Sequence, residues 1–91
     1  MIRRTLRIKS ALGLHARAAA KLVKLTSQFE SDIRLSRLNV EEQVDAKSIL
    51  GILLLAAAKG TEIQVMTDGE DEEVAMEAVV QLVNNRFGEE K

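Results

Sequence analysis

The spacing of apolar residues changes from a strand period to a helix period within residues 4–27, which read RTLRIKSALGLHARAAAKLVKLTS. Leu6 and Ile8 alternate with polar residues, which predicts a strand from Arg4 to Lys9. A short loop follows. From Ala16 to Ser27, small and apolar residues recur every three or four positions, which predicts a helix with one apolar face. The residues assigned to that face are Ala16, Ala19, Ala20, Val23 and Thr26.

The rest of the chain repeats these two patterns. Alternation predicts strands over residues 32–37 and 62–67, and a third strand from Val40 to Val44 that forms a hairpin with the first of these. A helix is predicted from Ile49 to about Ala57, although this segment is apolar nearly all round. A last helix begins with acidic residues 70–73 and ends near residues 86–88. Its predicted apolar face consists of Val74, Ala75, Ala78, Val79, Leu82 and Val83. The order β-α-β-β-α-β-α, with one apolar stripe per helix, predicts a layer of helices on one face of a four-stranded sheet.

Length and composition exclude several classes of protein. The 91 residues are expected to form a single domain, residues 1–91. The absence of cysteine excludes disulfides, thiolate catalysis and cysteine-bound zinc, and a single histidine leaves no metal-ligand cluster to expect. Two phenylalanines and no other aromatic residue argue against a stacking surface for single-stranded nucleic acid. No secretory signal is seen, and the longest apolar run is too short to span a bilayer, so a cytoplasmic protein without membrane insertion is expected.

The charge of the chain is unevenly distributed. Residues 1–47 carry a net charge of +5 and residues 48–91 a net charge of −6. Such asymmetry can steer an acidic partner toward a basic surface, but it is also typical of an ordinary solvated surface.

His15 stands where the predicted loop meets the first helix. A helix N-terminus offers unpaired N–H groups and a partial positive charge, both of which favour a bound anion. Arg17, two residues later, can make a forked contact with phosphoryl oxygens. Neutral imidazole is a good nucleophile near pH 7. These residues suggest a phosphoryl acceptor, but a histidine at a helix start can equally be an exposed residue or a simple cap.

A second helix start lies at Ser48, which is predicted to be the N-cap, with Asp45 as the rival. A phosphate on Ser48 would be tolerated there and would add negative charge at the surface. The following residues Ile49, Leu50 and Leu53 belong either to the core or to an exposed apolar patch that marks a protein interface.

Two motifs in the chain resemble those of the HPr family, the histidine-containing phosphocarriers of the bacterial phosphotransferase system. Gly13-Leu14-His15-Ala16-Arg17 before an alanine-rich helix is similar to the family's active-site signature. Ala46-Lys47-Ser48-Ile49-Leu50-Gly51-Ile52-Leu53 is similar to its second signature, around a regulatory serine. The likeness extends over residues 2–88. It implies an α+β fold, the open-faced β-sandwich with a four-stranded antiparallel sheet covered on one face by three helices.

The resemblance also implies a function. His15 would accept a phosphoryl group from Enzyme I, itself phosphorylated by phosphoenolpyruvate, and would donate it to an Enzyme IIA domain. Arg17 would stabilise the transferring charge. The protein would be a covalent carrier without a cofactor rather than an enzyme, and it is expected to be a monomer. Ser48 would be the site of an HPr kinase/phosphorylase. Partners would dock on a surface that includes Ala20, Lys24, Ile49, Leu50 and Leu53.

The chain departs from the family at Ala18, where proline is usual. Alanine is a strong helix former, so the helix should survive with a less rigid start. The motifs leave the sugar branch and the regulatory nitrogen branch (NPr) both open. Two other classes also stay open: a regulatory interaction protein that does not use His15, and a phosphatase or mutase. The second would need a nearby acid/base group or a metal cluster.

Overall fold

The computed structural model describes residues 1–89 and consists of one sheet with helices packed on one side. The strands described are β1 (Ile2–Arg7), β2 (Asp32–Arg37), β3 (Val44–Asp45) and β4 (Glu62–Asp68). The α-helices described are α1 (Ala16–Thr26), α2 (Ile49–Leu54) and α3 (Glu72–Asn84), followed by a turn at Arg86–Gly88. The predicted element order and the layer of helices on one sheet face are confirmed.

The sheet has the strand order β1-β4-β2-β3, and every neighbouring pair is antiparallel. Its inner face is apolar because alternate residues of the central strands, such as Ile33, Leu35, Ile63 and Val65, are fully buried. They pack against apolar residues of all three helices. The outer face carries polar side chains, among them Arg34.

Two predicted strands differ in extent from the observed ones. Strand β1 begins earlier and ends at Arg7, although Ile8 continues the pairing by donating to the carbonyl of Thr61 at 2.9 Å. The predicted strand from Val40 is wrong over most of its length. The hairpin does turn after β2, where the N–H of Val40 bonds to the carbonyl of Arg37, but only Val44 and Asp45 pair with β2. The intervening polar residues are exposed and provide no apolar face to bury.

The helices also correct the prediction in part. The buried face of α1 is Ala18, Ala19, Leu22 and Thr26, whereas Ala16 and Ala20 are exposed. Because alanine fits either face, spacing alone could not orient this helix. In α3 the first helical residue is Glu72, the helix ends at Asn84, and Met76 rather than the exposed Val74 is buried.

Helix α2 ends three residues earlier than predicted. Ala56 adopts the left-handed conformation with φ 50°, which a continuing helix cannot contain. The chain then turns so that the carbonyl of Ala57 accepts from the N–H of Leu14 at 2.9 Å. A tertiary contact with the loop before α1 therefore accompanies the end of this helix. None of the helices described in residues 1–89 has the length and apolar character needed to cross a bilayer.

Candidate functional site

The loop before α1 is held closely against the segment after α2. Gly13 has φ 65°, and a Cβ there would lie 2.5 Å from the carbonyl oxygen of Ala57. Both the backbone conformation and the close approach therefore require glycine. The hydroxyl of Ser10 donates to the carbonyl of Gly13 at 3.2 Å, which further fixes the loop. This loop places His15 at the start of α1.

His15 is the N-cap residue of α1. Its backbone is extended, with φ −79° and ψ 179°, and its carbonyl accepts from the N–H of Ala19 at 2.8 Å. Its ring atom Nδ1 accepts the backbone N–H of Arg17 at 3.2 Å. An imidazole thus does what serine or aspartate usually does at a helix start. The helix forms without the family's usual proline, and Ala18 is fully buried.

The other ring nitrogen of His15 faces a carboxylate from the far end of the chain. Nε2 of His15 lies 3.0 Å from Oε1 of Glu89. Oε2 of Glu89 accepts from Nη2 of Arg17 at 2.7 Å and from Nε at 3.2 Å. The hydrogen bond with His15, and after it the bonds from Arg17, lower the pKa of the Glu89 carboxyl. The structure therefore joins His15, Arg17 and Glu89 into one cluster.

This cluster has the chemistry of an anion site beside a nucleophile. An anion, the Glu89 carboxylate, is already bound there by the guanidinium of Arg17. The side chain of His15 is 22% exposed, so a partner protein can reach the ring. A phosphoryl group has the same sign of charge as the carboxylate and the same preference for a guanidinium fork and helix amides.

Ser48 is also an N-cap, but it lies away from His15. Its Oγ accepts the N–H of Gly51 at 3.1 Å, whereas the rival Asp45 binds the N–H of Lys47 at 2.9 Å. The hydroxyl of Thr26, at the end of α1, donates to the carbonyl of Ala46, just before α2. Since the start of α1 meets the end of α2, the two helices run antiparallel. Ser48 and His15 therefore lie at opposite ends of this helix pair, about 16 Å apart along α1.

Four of the five residues predicted for the partner interface are accessible. On α1, Ala20 and Lys24 are exposed, and on α2 Ile49 is exposed and Leu50 is 70% exposed. Leu53 is half-buried and packs against the core. Leu54, which was not predicted, is 74% exposed. A helix that is apolar all round gives no periodic signal, so sequence could not separate Leu53 from Leu54.

Sequence reasoning missed Glu89 altogether. It lies 74 residues from His15, in an acidic C-terminal stretch that resembles a solvated tail. Its placement depends on the turn at Arg86–Gly88, in which φ is positive at Arg86, Phe87 and Gly88. Two of these residues are not glycine, so the residue types do not predict the turn.

Comparison with known proteins agrees with this geometry. The family model described as "PTS HPr component phosphorylation site" matches residues 2–85. The phosphocarrier protein HPr of Xylella fastidiosa is 51% identical over 90 residues, which cover 99% of each chain. The crystal structure of an HPr from Thermoanaerobacter tengcongensis superposes with a TM-score of 0.93 at 42% identity over the whole of both chains. A crystal structure described as an HPr dimer from the same organism gives a TM-score of 0.75 at 42% identity, covering 98% of this chain and 100% of the other. This chain therefore belongs to the HPr family of phosphocarrier proteins.

Proposed function

We propose that the chain accepts a phosphoryl group on His15 from phosphorylated Enzyme I and donates it to an Enzyme IIA protein of the phosphotransferase system. The observation that carries this proposal is the position of the His15 ring at the start of α1, with the guanidinium of Arg17 beside it. Family membership gives the general role of carrier, and the geometry supports these two residues as the site.

The acceptor atom in this proposal is Nδ1. It points at the backbone N–H of Arg17, where the helix N-terminus stabilises negative charge. In transfer, the hydrogen bond from the N–H of Arg17 to Nδ1 breaks and the Nδ1 lone pair forms the new N–P bond. The bond from phosphorus to the donor breaks, and its electron pair stays with the donor. Arg17 balances the negative charge of the transferring group. Donation to Enzyme IIA reverses these changes at another acceptor.

Partner proteins dock on the exposed parts of α1 and α2 in this account. Leu50 offers apolar area at the surface, and Lys24 offers positive charge. An apolar centre with a charged rim is typical of a transient protein interface. We place the carrier in the cytoplasm as a monomer, although a dimer of a related HPr has been crystallised.

Phosphorylation of Ser48 is proposed as regulation of that docking. Ser48 is partly exposed and is the N-cap of the helix that carries Leu50. A phosphate there would add negative charge at the edge of the docking surface without removing the cap, because helix amides also bind phosphate. Incubation with an HPr kinase/phosphorylase and ATP should add one phosphate that is lost in Ser48→Ala, and the phosphorylated form should react more slowly with Enzyme I.

Intact mass spectrometry tests the main proposal. With Enzyme I and phosphoenolpyruvate, the wild type should gain one acid-labile phosphoryl group. His15→Asn should gain none, although asparagine can still cap α1. Ser48→Ala should gain the group as the wild type does. Uptake by His15→Asn, or none by the wild type with an active Enzyme I, would refute the proposed acceptor.

A further inference from the structure

Both oxygens of the Glu89 carboxylate make hydrogen bonds within the site. Its carboxylate is bonded to His15 through one oxygen and to Arg17 through the other, at 3.0 Å and 2.7 Å. Its side chain is only 15% exposed, less than that of His15. Each oxygen has its own partner, so the carboxylate is held in both position and orientation.

The turn that precedes Glu89 is anchored at both its side chain and its backbone. The ring of Phe87 is fully buried in the core. The ammonium group of Lys21, on α1, donates to the carbonyl of Phe87 at 2.7 Å. Phe87 has φ 56°, which is unfavourable for a bulky residue and is maintained by this burial. The anchored turn returns the chain from the end of α3 to the start of α1.

The two hydrogen bonds of the His15 ring require one arrangement of protons. An ionised carboxylate can only accept hydrogen bonds, so the contact with Oε1 of Glu89 places a proton on Nε2. A neutral imidazole then has its lone pair on Nδ1, which agrees with Nδ1 accepting the N–H of Arg17. The Glu89 contact and the cap therefore favour the same tautomer.

We propose that Glu89 is a positioning residue for phosphoryl transfer, which keeps the proton on Nε2 of His15 and so keeps the Nδ1 lone pair unprotonated for the donor. This inference rests on the proposed function. When Nδ1 forms the N–P bond and the donor keeps the electron pair of the broken bond, Nε2 retains its proton and the ring becomes cationic. The Glu89 carboxylate faces that developing charge and stabilises it. When the N–P bond breaks in donation, its pair of electrons at Nδ1 makes the ring neutral again.

The same contacts would also fit a role for Glu89 as a competitor for Arg17, and the experiment must distinguish this role from positioning. The Glu89 carboxylate occupies Arg17, whose guanidinium the transferring phosphoryl group also needs. A pure competitor for Arg17 would slow transfer, and its removal would speed it. A positioning residue gives the reverse result. The two oxygens bind different partners, so the bond to His15 can persist while Arg17 turns to the phosphoryl group.

The test compares Glu89→Ala with Glu77→Ala, which removes the same charge from an exposed site on α3. In ¹⁵N spectra of the unphosphorylated wild type and of Glu77→Ala, Nε2 should carry a proton slow enough in exchange to be detected. Glu89→Ala should lose that signal and gain phosphate from Enzyme I about tenfold more slowly.

Faster phosphorylation of Glu89→Ala, or an unchanged Nε2–H signal, would overturn the positioning role. If the wild type gains no phosphate, the proposed function fails separately. The spectra would still decide whether Glu89 holds the ring proton, because they require no transfer.

Discussion

The starts of α1 and α2 make a direct comparison within one molecule. Each begins with a side chain that accepts a backbone N–H, at 3.2 Å for Nδ1 of His15 and at 3.1 Å for Oγ of Ser48. Beside His15 lie a guanidinium and a carboxylate, Arg17 and Glu89, that contact each other. Lys47, the residue before Ser48, donates from its ammonium group to the carbonyl of Phe29.

Capping geometry alone does not make a reactive site. A neutral imidazole has a lone pair for attack at neutral pH, whereas a serine hydroxyl needs a base to remove its proton. The guanidinium of Arg17 beside His15 is placed to balance the charge of a transferring phosphoryl group, which supports the proposed role of His15 as acceptor. The proposed phosphorylation of Ser48 would need an enzyme that brings its own catalytic groups.

Removing the guanidinium from the first helix start should have the largest effect. Arg17→Ala is expected to slow phosphoryl uptake from Enzyme I about a hundredfold, because one preorganised contact to the transferring charge is lost. The rate of mass gain at limiting Enzyme I measures this. Arg34→Ala is the matched control, since that guanidinium pairs with Asp32 on the outer face of the sheet. Equal rates for the two variants would contradict the role given to Arg17.

The apolar surface beside the second helix start is tested next. Leu50→Glu should weaken binding to Enzyme I about tenfold, because an exposed apolar contact is replaced by a charge. The substitution should change the free energy of unfolding by less than about 0.5 kcal/mol, because Leu50 is exposed. Titration calorimetry and urea unfolding measure the two quantities. Val74→Glu, at a residue 56% exposed on α3, is the control and should bind normally. A loss of binding in both variants would indicate a charge effect rather than docking.

The cap of α2 should contribute to stability and leave the chemistry unchanged. Ser48→Ala is expected to lower the free energy of unfolding by about 1 kcal/mol, because one helix N–H loses its acceptor. Phosphoryl uptake on His15 should stay at the wild-type rate. Urea unfolding should show a smaller effect for Ser27→Ala, at an exposed residue that follows α1. Equal stability of the two variants would mean that the Ser48 bond does not stabilise the helix.

The smallest predicted effect concerns the start of α3 and the pH dependence of stability. Asp71 precedes α3, but its carboxylate binds Ser31 and the N–H of Glu30 instead of capping its own helix. These bonds, with that from Ser31 first, lower the pKa of Asp71 from its ordinary value of 3.8. A lowered pKa gives stability that is complete above pH 3.8 and is lost as the pH falls through the folded-state pKa.

Asp71→Asn should therefore show a flatter fall of stability below about pH 4 than the wild type does. Urea unfolding at a series of pH values measures the slope. Asp68→Asn, at an exposed carboxyl three residues earlier, is the control. Identical slopes for the wild type and Asp71→Asn would show that the Asp71 bonds do not couple folding to protonation.

Much of the fold could be predicted because its determinants are local. Alternation places Ile33, Leu35, Ile63 and Val65 on the buried face of the sheet. Sequence patterns failed to predict the bounds of an element where tertiary contacts decide them. The end of α2, for example, coincides with the contact between Ala57 and Leu14. The short β3 is a different case, because the polar residues after the hairpin turn provide no apolar face to bury and the strand was predicted too long.

The candidate site divides in the same way. His15 and Arg17 are two residues apart, so the helix start alone brings them together. Glu89 reaches them only because Phe87 is buried and the turn around it is left-handed. Neither spacing nor residue type predicts that arrangement.

The proposed acceptor atom is tested most directly by locating the phosphorus atom after transfer. Protein with ¹⁵N-labelled histidine would be phosphorylated with Enzyme I and phosphoenolpyruvate, and the ¹⁵N–³¹P coupling would be measured. We expect coupling of phosphorus to Nδ1 of His15, the nitrogen that caps α1 in the unphosphorylated protein. Coupling to Nε2, or phosphate on a residue other than His15, would contradict this expectation.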